Sequence, residues 1–228
     1  MQWRAFADLW EGKVRRGGHN SFPDALAEWL ASGSEGESGP QLVAEVLDGL
    51  ASRRGSWGGA EFATPLAVAA FIARIGGSLG ARSVLDPACG VGLLLDAVSR
   101  ALPEAACMGV ELNSEAAHVA RYLLGERAVV EIGDFVDVSA RRSAHYDLVV
   151  FDPPFGIWLD ASHPLSLPPG EGRLDMSQAM LIWGAGQLTS SGSVLALMPG
   201  MFGWSPNSAR VQAHLNEGGF RIRALIHL

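Results

Sequence analysis

Apolar residues in this chain follow two patterns, and from residue 64 onward the two patterns alternate. Continuous runs rich in Val, Leu and Ile are typical of strands buried on both faces, whereas apolar residues spaced three or four apart are typical of helices with one buried face. The alternation predicts a doubly wound α/β fold with a mostly parallel sheet. The predicted strands cover residues 83–89, 106–112, 128–134, 146–152, 193–199 and 220–228, and the predicted helices cover residues 93–101, 114–124, about 176–188 and about 208–216.

The first 56 residues have a different pattern. Aromatic and apolar residues such as Phe6 and Trp10 recur there at helical spacing and predict short helices. A small, polar and acidic linker is expected near residues 31–40. We therefore expect two parts, a helical N-terminal region over 1–56 and a larger domain over 57–228. The helices would either cover the larger domain or form a docking module for another protein.

A further helix is expected directly before the first predicted strand. Thr64 has the side chain of a helix N-cap, and Pro65 suits the first turn of a helix. Two consecutive glycines, Gly76 and Gly77, predict where this helix ends.

Charge and composition exclude several classes of protein. The formal net charge is −7, and acidic side chains outnumber basic ones in both parts of the chain. A protein that binds nucleic acid by itself usually has a basic surface, so a nucleic-acid function would need another segment or subunit. The two cysteines form no CxxC pair, which favours a reducing compartment, and the histidines lack metal-ligand spacing. Since neither a signal peptide nor a membrane-spanning run is visible, we expect a cytoplasmic protein.

The first predicted strand ends in the segment DPACGVG. Gly90 and Gly92 allow a tight turn and a close approach of the backbone to a ligand, directly before a helix. The acidic Asp86 disfavours a pyrophosphate and suits a positively charged ligand. Leu95 stands where a dinucleotide fingerprint has its third glycine. The segment therefore favours S-adenosylmethionine over a nicotinamide cofactor.

The next two predicted strands also end in acidic residues. Glu111 lies about 20 residues beyond the glycines, where a carboxylate can accept from both ribose hydroxyls of a nucleoside. Asp134 can accept from an adenine amine while Phe135 packs near its ring. Each residue alone would also suit an ordinary strand terminus. Three acidic side chains at the ends of three successive parallel strands point to one ligand site, because these ends share one edge of the sheet.

These motifs, taken in order, resemble the N6-adenine DNA methyltransferase family, and most closely the modification subunits of type I restriction systems. The resemblance implies a Rossmann-like methyltransferase fold, S-adenosylmethionine as the cofactor, and methyl transfer to the exocyclic N6 amine of adenine in DNA. It covers about residues 58–228 and rests on GAEFATP at 59–65, DPACGVG at 86–92, GVELN at 109–113, GDF at 133–135, DPPFG at 152–156 and SGSVLALMPGMF at 191–202.

The resemblance also implies the residues of the site. The residues expected to bind the cofactor are Ala60, Glu61, Phe62, Ala63, Thr64, Pro65, Asp86, Pro87, Ala88, Cys89, Gly90, Gly92, Glu111, Leu112, Asn113, Asp134 and Phe135. The residues expected to carry the reaction are Asp152, Pro153, Pro154 and Phe155.

The DPPF segment has a clear chemical logic. The exocyclic amine of adenine is a poor nucleophile because its lone pair is conjugated into the ring. Asp152 and the backbone carbonyl of Pro153 can accept the two amine protons and direct the lone pair toward a methyl group. The Pro-Pro pair fixes the backbone, and Phe155 can stack on a base that has left the duplex. The alternative is that DPPF is only a turn after a strand.

Type I subunits more often have Asn at the position of Asp152, and their sheet has a seventh strand. We therefore expect residues 57–228 to be a catalytic domain that ends before its last strand. DNA with a flipped base is the expected partner, together with a specificity subunit or a further target-recognition region. Cytosine N4, rRNA guanine N2 and protein glutamine remain alternative acceptors. A catalytically idle, cofactor-binding scaffold in a defence complex is a further alternative.

Overall fold

The structure is a computed structural model of the chain, and it describes residues 43–44, 63–141, 145–159, 163, 165 and 173–227. The helices expected over residues 1–56 and the linker near 31–40 lie outside these residues, apart from Val43 and Ala44, which are helical and buried. The expected division of the chain at residue 57 stays a prediction.

A five-stranded parallel sheet with the order β3-β2-β1-β4-β7 is the centre of the described structure. A separate antiparallel pair is formed by β5 and β6. The order reverses between β1 and β4, and open α/β sheets bind their ligands at such a switch point. The strands are β1 (Ser83–Asp86), β2 (Ala106–Glu111), β3 (Ala128–Ile132), β4 (Tyr146–Phe151), β5 (Trp158–Leu159), β6 (Leu174–Asp175) and β7 (Leu188–Ala196).

Helices cover both faces of the sheet, which confirms the predicted doubly wound α/β architecture. Three of them pack on one face and two on the other, and the last packs against the β5–β6 pair. In the part of the chain that the structure describes, no helix is both long enough and apolar enough to span a membrane. The helices are α1 (Leu66–Ser78), α2 (Leu93–Ala101), α3 (Ser114–Leu124), α4 (Phe135–Ala140), α5 (Met176–Gly186) and α6 (Pro206–Glu217).

The two central strands have side chains buried on both faces of the sheet. In β4, Leu148 and Val150 pack with α1, α2 and α3, whereas Val149 and Phe151 pack with α4 and α5. Successive residues of a strand point to opposite faces, so a strand covered on both sides needs a continuous apolar run. This explains why the apolar pattern predicted β4 correctly.

The helix before the first strand does not end at its glycines. Helix α1 continues through Gly76 and Gly77 to Ser78. A Cβ added at Gly76 would lie 3.2 Å from the side chain of Leu148. This glycine therefore allows the helix to lie close to the sheet, and the helix ends at Ser78, one residue after the predicted pair of glycines.

The last predicted strand, at 220–228, is also corrected. Residues 220–227 have no regular secondary structure, and Ile222, Leu225 and Ile226 are exposed. A strand needs a neighbour that accepts and donates its ladder hydrogen bonds. Within the described residues, β7 pairs with β4 alone, and no strand pairs with residues 220–227.

The loop after β1 lies directly on β2, and Gly109 is the reason that it can. A Cβ added at Gly109 would lie 2.8 Å from Cys89 Sγ and 3.0 Å from Leu95 Cδ2. The backbone N–H of Cys89 donates to the carbonyl of Val110 at 2.9 Å. Because Gly109 has no side chain, this loop can lie against β2 at the edge of the sheet where β1 and β2 end.

We predict that Gly109→Ala lowers the free energy of unfolding by about 1–3 kcal/mol, the usual cost of overpacking a core. Gly186→Ala is the matched control. A Cβ there would meet no atom within 4 Å, and alanine is the better helix former by about 1 kcal/mol. Urea denaturation followed by circular dichroism measures both changes. A Gly109→Ala variant as stable as the wild type would contradict the close packing of loop and strand.

Candidate active site

The turn between β1 and α2 has the backbone geometry that its glycines predict. Gly90 has a φ of 55° and Gly92 a φ of 90°, both in the left-handed region. Gly92 is the N-cap residue of α2, and its N–H donates to the carbonyl of Cys89 at 2.8 Å. A Cβ at Gly92 would also lie 3.1 Å from Ala120, so this turn packs against α3.

Glu111, the last residue of β2, is held by two backbone N–H groups. Oε2 accepts from Gly90 at 2.8 Å, and Oε1 accepts from Asn113 at 2.7 Å. Each oxygen keeps further lone-pair capacity, because a carboxylate has about four acceptor sites. Glu111 is therefore fixed beside the glycine turn and can still accept hydrogen bonds from the hydroxyls of a ligand.

Asp86, the last residue of β1, is almost completely buried, with 1% of its surface exposed. Its Oδ1 accepts from the backbone N–H of Ala88 at 3.2 Å. Burial raises the pKa of Asp86 well above its usual range, and the carboxylates of Asp152 and Glu111 raise it further, against the Ala88 hydrogen bond. A cation bound next to Asp86 would favour its charged form.

Asp152 follows β4 and accepts a hydrogen bond from a residue far away in the sequence. The hydroxyl of Thr64 donates to Asp152 Oδ2 at 2.8 Å. Thr64 is therefore not the helix cap that its side chain predicted: Pro65 is the N-cap residue of α1, and no side chain caps that end. Burial raises the pKa of Asp152, and the Thr64 hydrogen bond opposes that rise.

One pocket joins the predicted residues from three of the motifs. It contains Asp86, the side chains around the glycine turn, Thr64 and Asp152. Because it spans the ends of β1 and β4, it lies at the switch point of the sheet. The full set of lining residues is Ala63, Thr64, Asp86, Ala88, Cys89, Val91, Leu93, Leu94 and Asp152.

Cys89 lies in this pocket as a buried thiol. Burial raises the pKa of Cys89 well above its usual range, and the charges of Asp86 and Glu111 act in the same direction. A thiol of this kind stays protonated and is a poor nucleophile. The described residues also contain no group of three His, Cys, Asp or Glu side chains that could hold a metal ion.

The remaining residues of DPPF do not line this pocket, and their exposure to solvent increases along the chain. Pro153 is buried, Pro154 is half-buried, and Phe155 is 47% exposed. Phe155 is therefore open to solvent three residues after Asp152.

Several predicted cofactor residues have another structural role. The side chain of Asn113 caps α3 by accepting from Glu115 and Ala116, and Oδ1 of Asp134 accepts from Val136 at the start of α4. Phe135 makes an edge-to-face contact with Trp183, with ring centroids 4.7 Å apart.

Four more predicted cofactor residues line the pocket or lie next to the site residues in the sequence. Leu112 is 72% exposed beside Glu111, Pro87 is buried, Ala88 lines the pocket, and Ala63 precedes Thr64. Three others, Ala60, Glu61 and Phe62, lie outside the described residues.

Asp175 is a residue of this region that the sequence reasoning missed. It ends β6, caps α5 and accepts from the N–H of Gly156, next to Phe155, at 2.9 Å. A sequence signal was present, because Asp175 and Gln178 have the spacing of a capping box. Nothing in the sequence indicates that the same carboxylate reaches the DPPFG turn.

The sequence was compared with those of known proteins. Residues 56–165 match the sequence model of a family described as the methyltransferase small domain. A protein from Streptomyces pristinaespiralis, 4-amino-L-phenylalanine/4-methylamino-L-phenylalanine methyltransferase, is 34% identical over 129 residues. The alignment covers 52% of this chain and 44% of that protein, so the chain spans less than half the length of this relative.

Solved structures were compared as well. A Listeria monocytogenes protein described as a candidate class I S-adenosylmethionine-dependent methyltransferase has a TM-score of 0.69 and 17% identity, over 95% of this chain and 78% of that one. A modification subunit of a candidate type I restriction enzyme from Vibrio vulnificus has a TM-score of 0.58 and 17% identity, over 86% of this chain and 44% of that one. Identities this low show likeness of fold alone. The chain therefore has the Rossmann-like fold of the S-adenosylmethionine-dependent methyltransferases.

Proposed function

We propose that this protein is an S-adenosylmethionine-dependent methyltransferase that modifies an amine conjugated to a flat ring, with adenine N6 in DNA as its acceptor. The observation that carries the proposal is the pocket in which Asp86 and the Thr64–Asp152 pair lie together, and Phe155 is exposed three residues further along the chain. The match of residues 56–165 to the methyltransferase small domain supports the reaction class.

The residues at the ends of β1 and β2 fit S-adenosylmethionine. That molecule has two positive charges and a ribose, and when bound it supplies a methyl group on a sulfonium sulfur. Asp86 is a buried carboxylate beside two other acids, so a positive ligand stabilises its charged form. Glu111 is held in place by two backbone N–H groups and can accept from ribose hydroxyls. Exposed Leu112 can cover one face of an adenine ring.

The residues after β4 fit the acceptor amine. Asp152 and the Pro153 carbonyl can accept its two protons, which turns the nitrogen lone pair away from both. An amine nitrogen that received the methyl group would have to lose a proton. Asp152 can take that proton, because burial raises the pKa of its carboxyl. Phe155 can stack on the acceptor ring.

Adenine in DNA requires a partner for recognition, because the net charge is −7. We propose a specificity subunit or a target-recognition region for that role. The fold likeness to the Vibrio vulnificus modification subunit is compatible with such an assembly.

A second acceptor is favoured by a different observation. The Streptomyces pristinaespiralis relative is described as methylating 4-amino-L-phenylalanine, whose amine is also conjugated to a ring. The same Asp152, Pro153 and Phe155 would serve this acceptor, and a small amino acid requires no basic surface. The two acceptors share the chemistry of the amine and differ in what is attached to the ring.

We predict that the wild-type protein binds S-adenosylmethionine and that Asp86→Asn and Glu111→Gln each weaken binding by about tenfold or more. A hydrogen bond to a charged group contributes about 1.5–3 kcal/mol, and 1.4 kcal/mol is a factor of ten. Glu104→Gln is the control, since it removes the same charge from an exposed residue ahead of β2. Isothermal titration calorimetry measures all four affinities. Unchanged binding by both site variants would overturn the cofactor assignment.

We also predict that affinity for S-adenosylmethionine rises with pH across the titration of Asp86. The pKa of Asp86 is raised in the free protein, and a bound cation lowers it, so binding releases a proton. Affinity should therefore increase as the pH rises through the pKa of Asp86 in the free protein. Titrations in buffers of different ionisation enthalpy count the released protons. Asp86→Asn should show a flatter dependence, and a wild-type affinity independent of pH would contradict this assignment.

For the acceptor side, we predict that Asp152→Ala lowers kcat by about 10²-fold or more while S-adenosylmethionine binding persists. Asp152→Asn should lose less, because its amide can donate to the Thr64 hydroxyl while its carbonyl still accepts from the amine. Transfer of a radiolabelled methyl group measures both variants. An Asp152→Ala enzyme with full activity would overturn the proposed mechanism.

The acceptor itself is identified by the same assay on a panel. The panel contains single-stranded and duplex DNA with and without adenine, 4-amino-L-phenylalanine, RNA and a glutamine-containing peptide. Labelling that requires adenine supports the DNA proposal, and labelling of the amino acid alone supports the second acceptor. Labelling of RNA or peptide alone would overturn both.

A further inference from the structure

Asp175 connects two parts of the structure through a single carboxylate. It is 7% exposed and is the N-cap residue of α5. Its Oδ1 accepts from the N–H of Ser177 at 3.0 Å and from the Ser177 hydroxyl at 2.5 Å. Its Oδ2 accepts from the N–H of Gly156 at 2.9 Å. One oxygen thus caps the helix and the other holds the turn that follows Phe155.

The backbone around this bond is fixed at further points. Ile157 accepts from the N–H of Met176 at 2.7 Å, and Trp158 pairs with Asp175 in the β5–β6 ladder. Gly156 has a φ of 73°, a left-handed conformation that side chains other than glycine rarely adopt. The chain therefore turns sharply after Phe155 and is bound to the start of α5 on its far side.

The other end of this segment, at Asp152, is also held by hydrogen bonds. Phe151, the last residue of β4, accepts from the N–H of Leu197, and Asp152 accepts from Thr64. The segment from Asp152 to Gly156 is thus bound at both ends, while the Phe155 ring is 47% exposed. Since the ring has so much free surface, its position depends on the backbone on either side of it.

We propose that Asp175 is a positioning residue for methyl transfer: through Gly156 it holds the ring of Phe155 where that ring can stack on the acceptor. This inference rests on the proposed function and adds to it a residue outside the motifs. A displacement of about 1 Å in a reacting geometry can lower a rate by about 10²-fold, so one bond to the turn is enough to matter.

Two substitutions separate the helix cap from the bond to the turn. Asp175→Ser keeps a good N-cap, but its side chain is too short to cap α5 and reach Gly156 together. In Asp175→Asn, a carbonyl that caps the helix leaves the amide N–H₂ facing the N–H of Gly156, and two donors repel. Both variants should keep the helix and release the turn. Ser205→Ala is the control, because it removes a cap of the same kind from α6.

The kinetic test uses the full chain, S-adenosylmethionine and the acceptor from the panel that the wild type methylates best. We expect kcat to fall about tenfold to a hundredfold in Asp175→Ser and Asp175→Asn, with unchanged affinity for S-adenosylmethionine. Ser205→Ala should keep the wild-type kcat. Assays are run well below the melting temperature of each variant. Wild-type kcat in both Asp175 variants would overturn the proposal.

A double-mutant cycle with Phe155→Ala shows whether Asp175 acts through that ring. If it does, Asp175→Ser should lower kcat much less in the Phe155→Ala background than in the wild type, because the positioned ring is already gone. A residue with a merely structural role would lower kcat by the same factor in both backgrounds. Fully additive effects would therefore overturn the proposal.

Hydrogen exchange at the Gly156 amide tests the same bond without any acceptor. We expect exchange at least about tenfold faster in Asp175→Ser and no change in Ser205→Ala, since only the first loses the acceptor of that N–H. Unchanged exchange would overturn the proposal even if the enzyme is active. If exchange is faster in Asp175→Ser but the wild-type chain methylates nothing on the panel, the bond between Asp175 and Gly156 is supported and the proposed function is rejected.

Discussion

Asp86 is a carboxyl group buried at the end of the central strand, and the arrangement of the site depends on the free-energy cost of that burial. A carboxylate removed from water needs a cation or hydrogen-bond donors to remain charged. The N–H of Ala88 supplies one such donor, but Asp152 and Glu111 add negative charge nearby. A positively charged ligand beside Asp86 would lower this cost.

Backbone hydrogen bonds hold much of the same site in place. Glu111 is held by the N–H groups of Gly90 and Asn113, and the turn at Cys89 hydrogen-bonds to β2. A side chain at Gly109 would crowd Cys89 and Leu95 and would push the turn away from β2. Gly109, which has no side chain, therefore allows the turn that contacts Glu111 to lie against β2.

The sequence predicted those parts of the site that depend on local pattern. Asp86, Glu111 and Asp152 each follow an apolar run, and parallel topology places the ends of such runs on one edge, so their grouping could be predicted. Thr64 was predicted to cap a helix because its local sequence suits one, but its hydroxyl reaches Asp152, 88 residues away. The bond from Asp175 to Gly156 was missed for the same reason. The strand expected at 220–228 was wrong, because an apolar pattern does not show whether a segment pairs with a neighbouring strand.

The order of the strands divides the site between two halves of the chain. The acidic residues assigned to the cofactor lie at the ends of β1 and β2, whereas Asp152, Phe155 and Asp175 all lie after β4 in the chain. On the proposed function, the first half recognises the methyl donor and supplies Thr64 to Asp152, and the second half recognises the acceptor. Substitutions in the second half could then change the acceptor while the residues assigned to the cofactor stay in place. Chimeric chains joined between β3 and β4 would inherit their acceptor from the second parent, which makes this junction a natural place to recombine related enzymes.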